Sequence, residues 1–136
     1  MFKRVIPEIL HNSKITYNYS PNSCVYDYND DIITFNRSKI KKENSINRNI
    51  EEYFNRKFYG NDILIISLLH ELGHRYRNIT KICQPIEKIK EEHKIYNIMF
   101  RNKHTKYYYK LITEEREAMN LAIKWFNKYE KLRSKS

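Results

Sequence analysis

The chain is short of glycine, cysteine, proline and long apolar runs. It holds two glycines, two cysteines, three prolines and one tryptophan in 136 residues. No Gly-, Pro- or Ser-rich stretch divides it and no internal repeat is visible, so it reads as one domain, residues 1–136. A domain of this size buries roughly two-thirds of its unfolded surface and folds without disulfide support. Cys24 and Cys83 lie 59 positions apart and form no CxxC pair. They read as two free thiols in a reducing compartment rather than as metal ligands. The longest strongly apolar run, Ile63 to Leu69, is seven residues with a serine inside. A membrane-spanning helix needs roughly 20. The N-terminus begins like a signal peptide, but Pro7 and Glu8 interrupt the apolar stretch and no small-residue cleavage site follows. The expectation is a soluble, intracellular (cytoplasmic) protein with no membrane partner.

Acidic residues are also scarce: 16 Asp and Glu against 26 Lys and Arg, a formal charge of +10. Such a balance suits nucleic acid or acidic protein partners. However, Ile, Lys, Asn and Tyr together supply 63 of the 136 residues. All four have AT-rich codons, so genome bias accounts for much of the lysine excess. Hydrophobic residues make up 40% and aromatic residues 14%, which excludes a disordered tail.

Residues 3–12 form a short segment broken or started by Pro7. Residues 15–36 read as strands. Ile15, Tyr17 and Tyr19 alternate with polar residues, and Pro21-Asn22-Ser23 makes a turn. Val25 to Tyr28, an Asn29-Asp30 turn and Ile32 to Phe35 then make a hairpin. A polar stretch over 37–59 reads as a loop plus an amphipathic helix carrying Ile46, Ile50, Tyr53 and Phe54. Helices are expected from Ile63 to about Arg77 with Asp62 as N-cap, from Pro85 to about Phe100, and from Thr113, as N-cap, to about Leu132. The fold class is therefore α+β: a small antiparallel sheet followed by helices.

Residues 70–74 read His-Glu-Leu-Gly-His, an HExxH motif inside a predicted helix. Positions four apart on a helix point nearly the same way, so His70 and His74 can present imidazole nitrogens to one Zn²⁺. Glu71 lies beside them as a general base toward a metal-activated water. With five His and 12 Glu in the chain, the motif would arise by chance about once in 60 such sequences, so its setting must add weight. Ile65, Leu68, Leu69, Leu72 and Tyr76 define one helix face, and Ser67, His70 and His74 the other. An apolar back and a histidine front fit a site facing a cleft. The bland alternative is two surface histidines on an amphipathic helix.

A catalytic zinc takes three protein ligands and keeps one open position. Leu111, Ala118, Met119, Ala122, Trp125, Phe126 and Tyr129 define the apolar face of the last helix, and Glu115 lies within it. A carboxylate in an apolar stripe is costly unless it is paired or bound to a metal. Ala118 and Ala122 are small enough for two helices to approach closely. Glu114 and Glu117 are explained by the helix dipole alone. The competitor is His93, inside the stripe of Ile86, Ile89, Tyr96 and Phe100, because three histidines also suit zinc. His11 and His104 lie in polar or terminal surroundings.

HELGH at 70–74 with Glu115-Arg116-Glu117-Ala118 resembles the gluzincin metallopeptidases. The resemblance is closest to their smallest members, the minigluzincin and ImmA/IrrE-type domains. It implies a zincin-like fold, Zn²⁺ held by His70, His74 and Glu115, and Glu71 as the catalytic base. It also implies hydrolysis of an intracellular protein or peptide substrate, such as a transcriptional regulator. The hairpin ending in Ile32–Phe35 matches the family's sheet in position, which implies that it can pair with an extended substrate. Met119 departs from the family, in which Asn or Asp often follows E-x-x-A; a hydrogen bond to a ligand histidine must then come from elsewhere. Tyr107, Tyr108, Tyr109 and His104 precede the Glu115 helix and are candidates to stabilise an oxyanion.

Two other readings stand beside this one. A SprT-like zinc protease would use His93 as third ligand, although its usual His-Gly is replaced by His93-Lys94. A non-catalytic basic module would bind nucleic acid or an acidic protein through Arg37, Lys39, Lys41 and Lys42 and the tail Lys128, Lys131, Arg133 and Lys135. Finally, Gly73 stands in mid-helix, where glycine costs about 1 kcal/mol against alanine. A chain this poor in glycine is expected to keep it for close approach of another segment, and Gly60 to shape the turn that launches the same helix.

Overall fold

The computed structural model describes residues 2–17, 24–36, 50–52, 54–58, 61–100 and 112–134. Two 3-10 turns, Phe2–Arg4 and Glu8–Leu10, flank Pro7. They place Val5, Ile6 and Leu10 in the core. Three strands follow, β1 (Lys14–Tyr17), β2 (Cys24–Asp27) and β3 (Ile32–Phe35). The helices are α1 (Asp62–Ile79), α2 (Ile86–Phe100) and α3 (Thr113–Ser134), each within two residues of its expected ends.

The sheet departs from expectation. β2 and β3 form the antiparallel hairpin, with Cys24 opposite Phe35 and Asp27 opposite Ile32. β1, however, pairs parallel to β3, with Lys14 opposite Ile32 and Tyr17 opposite Phe35. The order is β1-β3-β2, so the sheet is mixed rather than antiparallel. β1 and β2 still run in opposite directions, but β3 is inserted between them. The reason lies in composition. Ile32-Ile33-Thr34-Phe35 is the strand richest in β-branched and aromatic residues, and with Ile33 and Phe35 buried it takes the centre. β1, with Lys14 and an exposed Tyr17, takes an edge. Both flanks of β3 are thereby used within the sheet, and the open edge of the hairpin is that of β2.

The hairpin turn falls on 28–31, around the expected Asn29-Asp30. Asp31 adopts φ 56°, and its N–H donates to the Asp27 carbonyl (2.9 Å). The Asp27 carboxylate accepts the N–H groups of Asn29 and Asp30, an Asx-type closure. Arg75, buried on α1, clamps this turn. Its guanidinium donates to both oxygens of Asp31 (2.9 and 3.2 Å), to Ser13 Oγ (2.9 Å) and to Asn12 Oδ1 (3.2 Å).

α1 is the spine of the molecule. Leu64, Ile66, Leu69 and Leu72 lie in the core with Ile33 and Phe35 of the sheet and Met119, Ala122, Trp125 and Phe126 of α3. Phe54 and Phe58 meet Phe126 edge-on, with ring centroids 5.7 and 5.6 Å away. The tightest approach is at Gly73. A Cβ there would lie 2.7 Å from the Ala118 carbonyl oxygen and 3.1 Å from Ala118 Cα. The expected role of Gly73 in close packing is therefore met, and the segment that approaches is α3. Gly60 falls outside the described residues, as do Tyr19, the 21–23 turn, Ile46 and Tyr53.

Neither expected N-cap acts as one. α1 begins at Asp62 itself, after Asn61, whose side chain makes no capping hydrogen bond. Asp62 instead sits in the first turn, where its charge suits the dipole, and accepts from Arg133 near the end of α3 (2.8 Å). Thr113 is the first residue of α3, and its cap comes from another helix. Glu92 of α2 accepts the Thr113 N–H (2.9 Å) and hydroxyl (3.2 Å). No described helix is long and apolar enough to cross a membrane.

Candidate metal centre

The helical register of α1 sets the first two donors. His70 and His74 lie one turn apart with rings nearly perpendicular, and their Nε2 atoms are 3.2 Å apart. α3 crosses this turn closely because Gly73 and Ala118 have no bulk to separate them. That crossing carries Glu115, three residues before Ala118, onto the histidines. Glu115 Oε2 lies 2.7 Å from His70 Nε2 and 3.2 Å from His74 Nε2. Ligands held at zinc-bond lengths around a tetrahedron are about 3.3 Å apart. The triangle observed, with edges of 2.7, 3.2 and 3.2 Å, is close to that size.

The donor chemistry fits a divalent cation as well. Two imidazole nitrogens and a carboxylate oxygen converge on one point, a donor set that suits a divalent cation. Burial pushes the Glu115 carboxyl up, but the imidazoles of His74 and His70 outweigh it and hold the group well below the usual carboxylate range. Glu115 is thus an anion here.

The sequence-level picture of an apolar back and a histidine front needs one correction. The front is buried too: His70 and Glu71 are each 9% exposed and His74 5%. The histidine face is hemmed in by the outer edge of β2, the hairpin turn and α3. Glu71 is held from this edge. The Tyr26 N–H, which points away from β3, donates to Glu71 Oε1 (2.8 Å). The other oxygen, Oε2, lies 3.8 Å from His70 Nε2. Burial raises the Glu71 carboxyl to about 7, with Glu115 adding to the effect and His70 and the Tyr26 N–H opposing it.

The histidine partner that Met119 does not provide is Tyr28. Its hydroxyl lies 2.9 Å from His74 Nδ1. A cation on His74 Nε2 would leave Nδ1–H to donate to this oxygen, and the contact fixes the ring. Burial, and then Glu114 and Glu115, raise the Tyr28 phenol, so it stays protonated. Sequence reading placed Tyr28 at the strand end with no role. The only signal was its i, i+2 spacing from Tyr26, which puts both rings on one side; they meet edge-on at 5.0 Å. His70 Nδ1 is buried without a hydrogen-bond partner among the described residues.

Glu114 was also underestimated. Rather than sitting on a helix edge for the dipole alone, it is 1% exposed. Its oxygens accept two hydrogen bonds from Arg77 (2.9 Å each) and one from the Gln84 N–H (2.8 Å). Burial raises its carboxyl, and the Arg77 and Gln84 hydrogen bonds reverse this and leave it lowered. Arg77 lies near the C-terminus of α1, so this ion pair joins the motif helix to the first turn of α3, where Glu115 sits.

The remaining candidates lie elsewhere. His93 is outside the triangle, with its Nε2 3.9 Å from Glu115 Oε1, the oxygen not shared by His70 and His74. His11 contacts the Lys3 carbonyl. Cys24 and Cys83 are free thiols, raised by burial, beside the Ser67 carbonyl and Asn78 Oδ1 respectively. His104, Tyr107, Tyr108 and Tyr109, and the basic residues 37, 39, 41, 42 and 135, fall outside the described residues. No family model, curated protein or solved structure matches this chain.

Proposed function

We propose that the protein is a zinc-dependent metallopeptidase of gluzincin type that hydrolyses a protein or peptide substrate inside the cell. The observation that carries the reading is the meeting of Glu115 Oε2 with both motif histidines across 41 to 45 residues of chain. A motif matched by chance has no reason to attract a buried carboxylate from another helix. His70, His74 and Glu115 would hold the ion. Zinc bound there supplies a Lewis acid that polarises the scissile carbonyl and activates a water. Glu71 would take a proton from the attacking water and return it to the departing amine. The Tyr26 N–H fixes one Glu71 oxygen, so the other is presented to the site in a single orientation. Tyr28 holds His74, and the Glu114–Arg77 pair holds the turn that bears Glu115. A transcriptional regulator as substrate rests on family resemblance alone.

Metal content tests the assignment. Wild type is expected to bind one zinc and Glu115→Gln to lose it, with His93→Ala retaining it. Loss in His93→Ala with full retention in Glu115→Gln would transfer the third-ligand role to His93. Glu71→Gln should keep the metal and abolish cleavage. If it leaves the biological phenotype intact, the non-catalytic basic module is the better account.

A further inference from the structure

One face of α2 borders the site without entering the ligand triangle. From it His93, part-exposed, reaches to 3.9 Å from Glu115 Oε1. Around His93 lies a shallow, open groove of about 610 Å³, lined among the described residues by Ile89, Lys90, His93, Lys94, Asn97 and Ile98 of α2. Lys90 and Lys94 are one helical turn apart and exposed. Ile89 and Ile98 supply an apolar surface beside them. Glu87 and Glu91 do not line the groove. Glu92 is engaged with Thr113 and Gln84.

We propose that this groove is a substrate subsite that reads an acidic side chain close to the bond being cut. The proposal rests on the peptidase reading above. Charge complementarity names the occupant. Two ammonium groups on flexible stems attract a carboxylate of either length, Asp or Glu, while its methylenes lie on the isoleucines. His93 lines this surface and reaches to 3.9 Å from Glu115 Oε1, so a side chain held there would belong to a residue near the scissile bond. A basic side chain in the same place would be repelled by both lysines.

The test compares zinc-loaded wild type with K90E/K94E on a defined equimolar decapeptide library, with cleaved bonds located by mass spectrometry. Wild type should enrich Asp and Glu at one position beside the cut. The double variant should lower the acidic-to-basic ratio there about five-fold or more, since two exposed charge pairs change sign. A second measurement does not depend on turnover. Isotope-labelled Glu71→Gln protein, titrated with the best acidic peptide, should shift the amide signals of Lys90, Lys94 and Asn97. Cleavage without acidic enrichment, the same enrichment in both proteins, or unmoved signals at these three residues would overturn the subsite and leave the peptidase reading standing. Zinc binding with no peptide cleaved by wild type would overturn both.

Discussion

Gly73→Ala tests the packing that creates the site. In an isolated helix this change stabilises by about 1 kcal/mol. Here the added Cβ would lie 2.7 Å from the Ala118 carbonyl oxygen, 3.1 Å from Ala118 Cα and 3.3 Å from its carbonyl carbon. All three contacts are with backbone, so no side chain can rotate away. α3 must retreat by about 0.7 Å to restore ordinary contact, and overpacking of this kind costs about 1–3 kcal/mol. Because the obstacle is rigid, we expect the upper part of that range and a net loss of about 1–2 kcal/mol. For a domain of this size that lowers Tm by about 3–10 °C. Ala118→Gly should not rescue it, because the Ala118 backbone is what collides. Glu115 moves with α3, so zinc affinity should fall by about ten-fold, the size of effect seen when a ligand's support is disturbed. Thermal and urea denaturation of the metal-free protein and zinc competition against a chromophoric chelator measure the two effects separately. A variant as stable as wild type, with unchanged zinc affinity, would refute the argument.

Tyr28→Phe removes only the partner of His74 Nδ1, so zinc affinity should drop about 10- to 100-fold while the thermal transition of the apo protein moves little; unchanged affinity in a competition titration would show that the hydroxyl does not orient the ring. Arg77→Ala strands the buried Glu114 carboxylate and should destabilise by about 3 kcal/mol or more, whereas Arg77→Met with Glu114→Leu should recover much of the loss; equal urea midpoints for wild type and Arg77→Ala would contradict the pairing. Asp31 is held below its ordinary value of 3.8 chiefly by the Arg75 hydrogen bonds. Its contribution is therefore present above about pH 4 and lost as pH falls through the depressed folded value. Asp31→Asn should lower stability near neutrality and flatten the acid limb of the urea stability profile, and an unaltered limb would rule the linkage out.

Much of the site was legible because it is written in helical spacing. The pair His70 and His74 follows from a four-residue interval, and Glu115 stood out as a carboxylate on an apolar stripe. The two roles expected of neighbouring small residues were also visible, since Gly73 sits in mid-helix in a chain with only two glycines. The strand order was not legible. The antiparallel reading assumed that consecutive strands are neighbours, and burial of Ile33 and Phe35 instead placed β3 at the centre. Glu114 illustrates the same limit. A glutamate in a first helical turn is fully explained by the dipole, and nothing nearby in sequence announces that Arg77, 37 residues earlier, will bury it.

What the sequence determined alone is the grouping held within single helices: two imidazoles and a glutamate on one, a carboxylate in an apolar stripe on another. These relations depend only on the roughly 100° that separates successive residues, which any α-helix imposes. Tertiary structure decided which groups meet. It brought Glu115 Oε2 rather than His93 onto the histidines, put the Tyr28 hydroxyl behind His74, and turned the Tyr26 N–H toward Glu71. Those choices follow from how closely α1 and α3 can approach at Gly73 and Ala118, and from which strand takes the sheet's centre. Both are set by competition among packings rather than by local geometry.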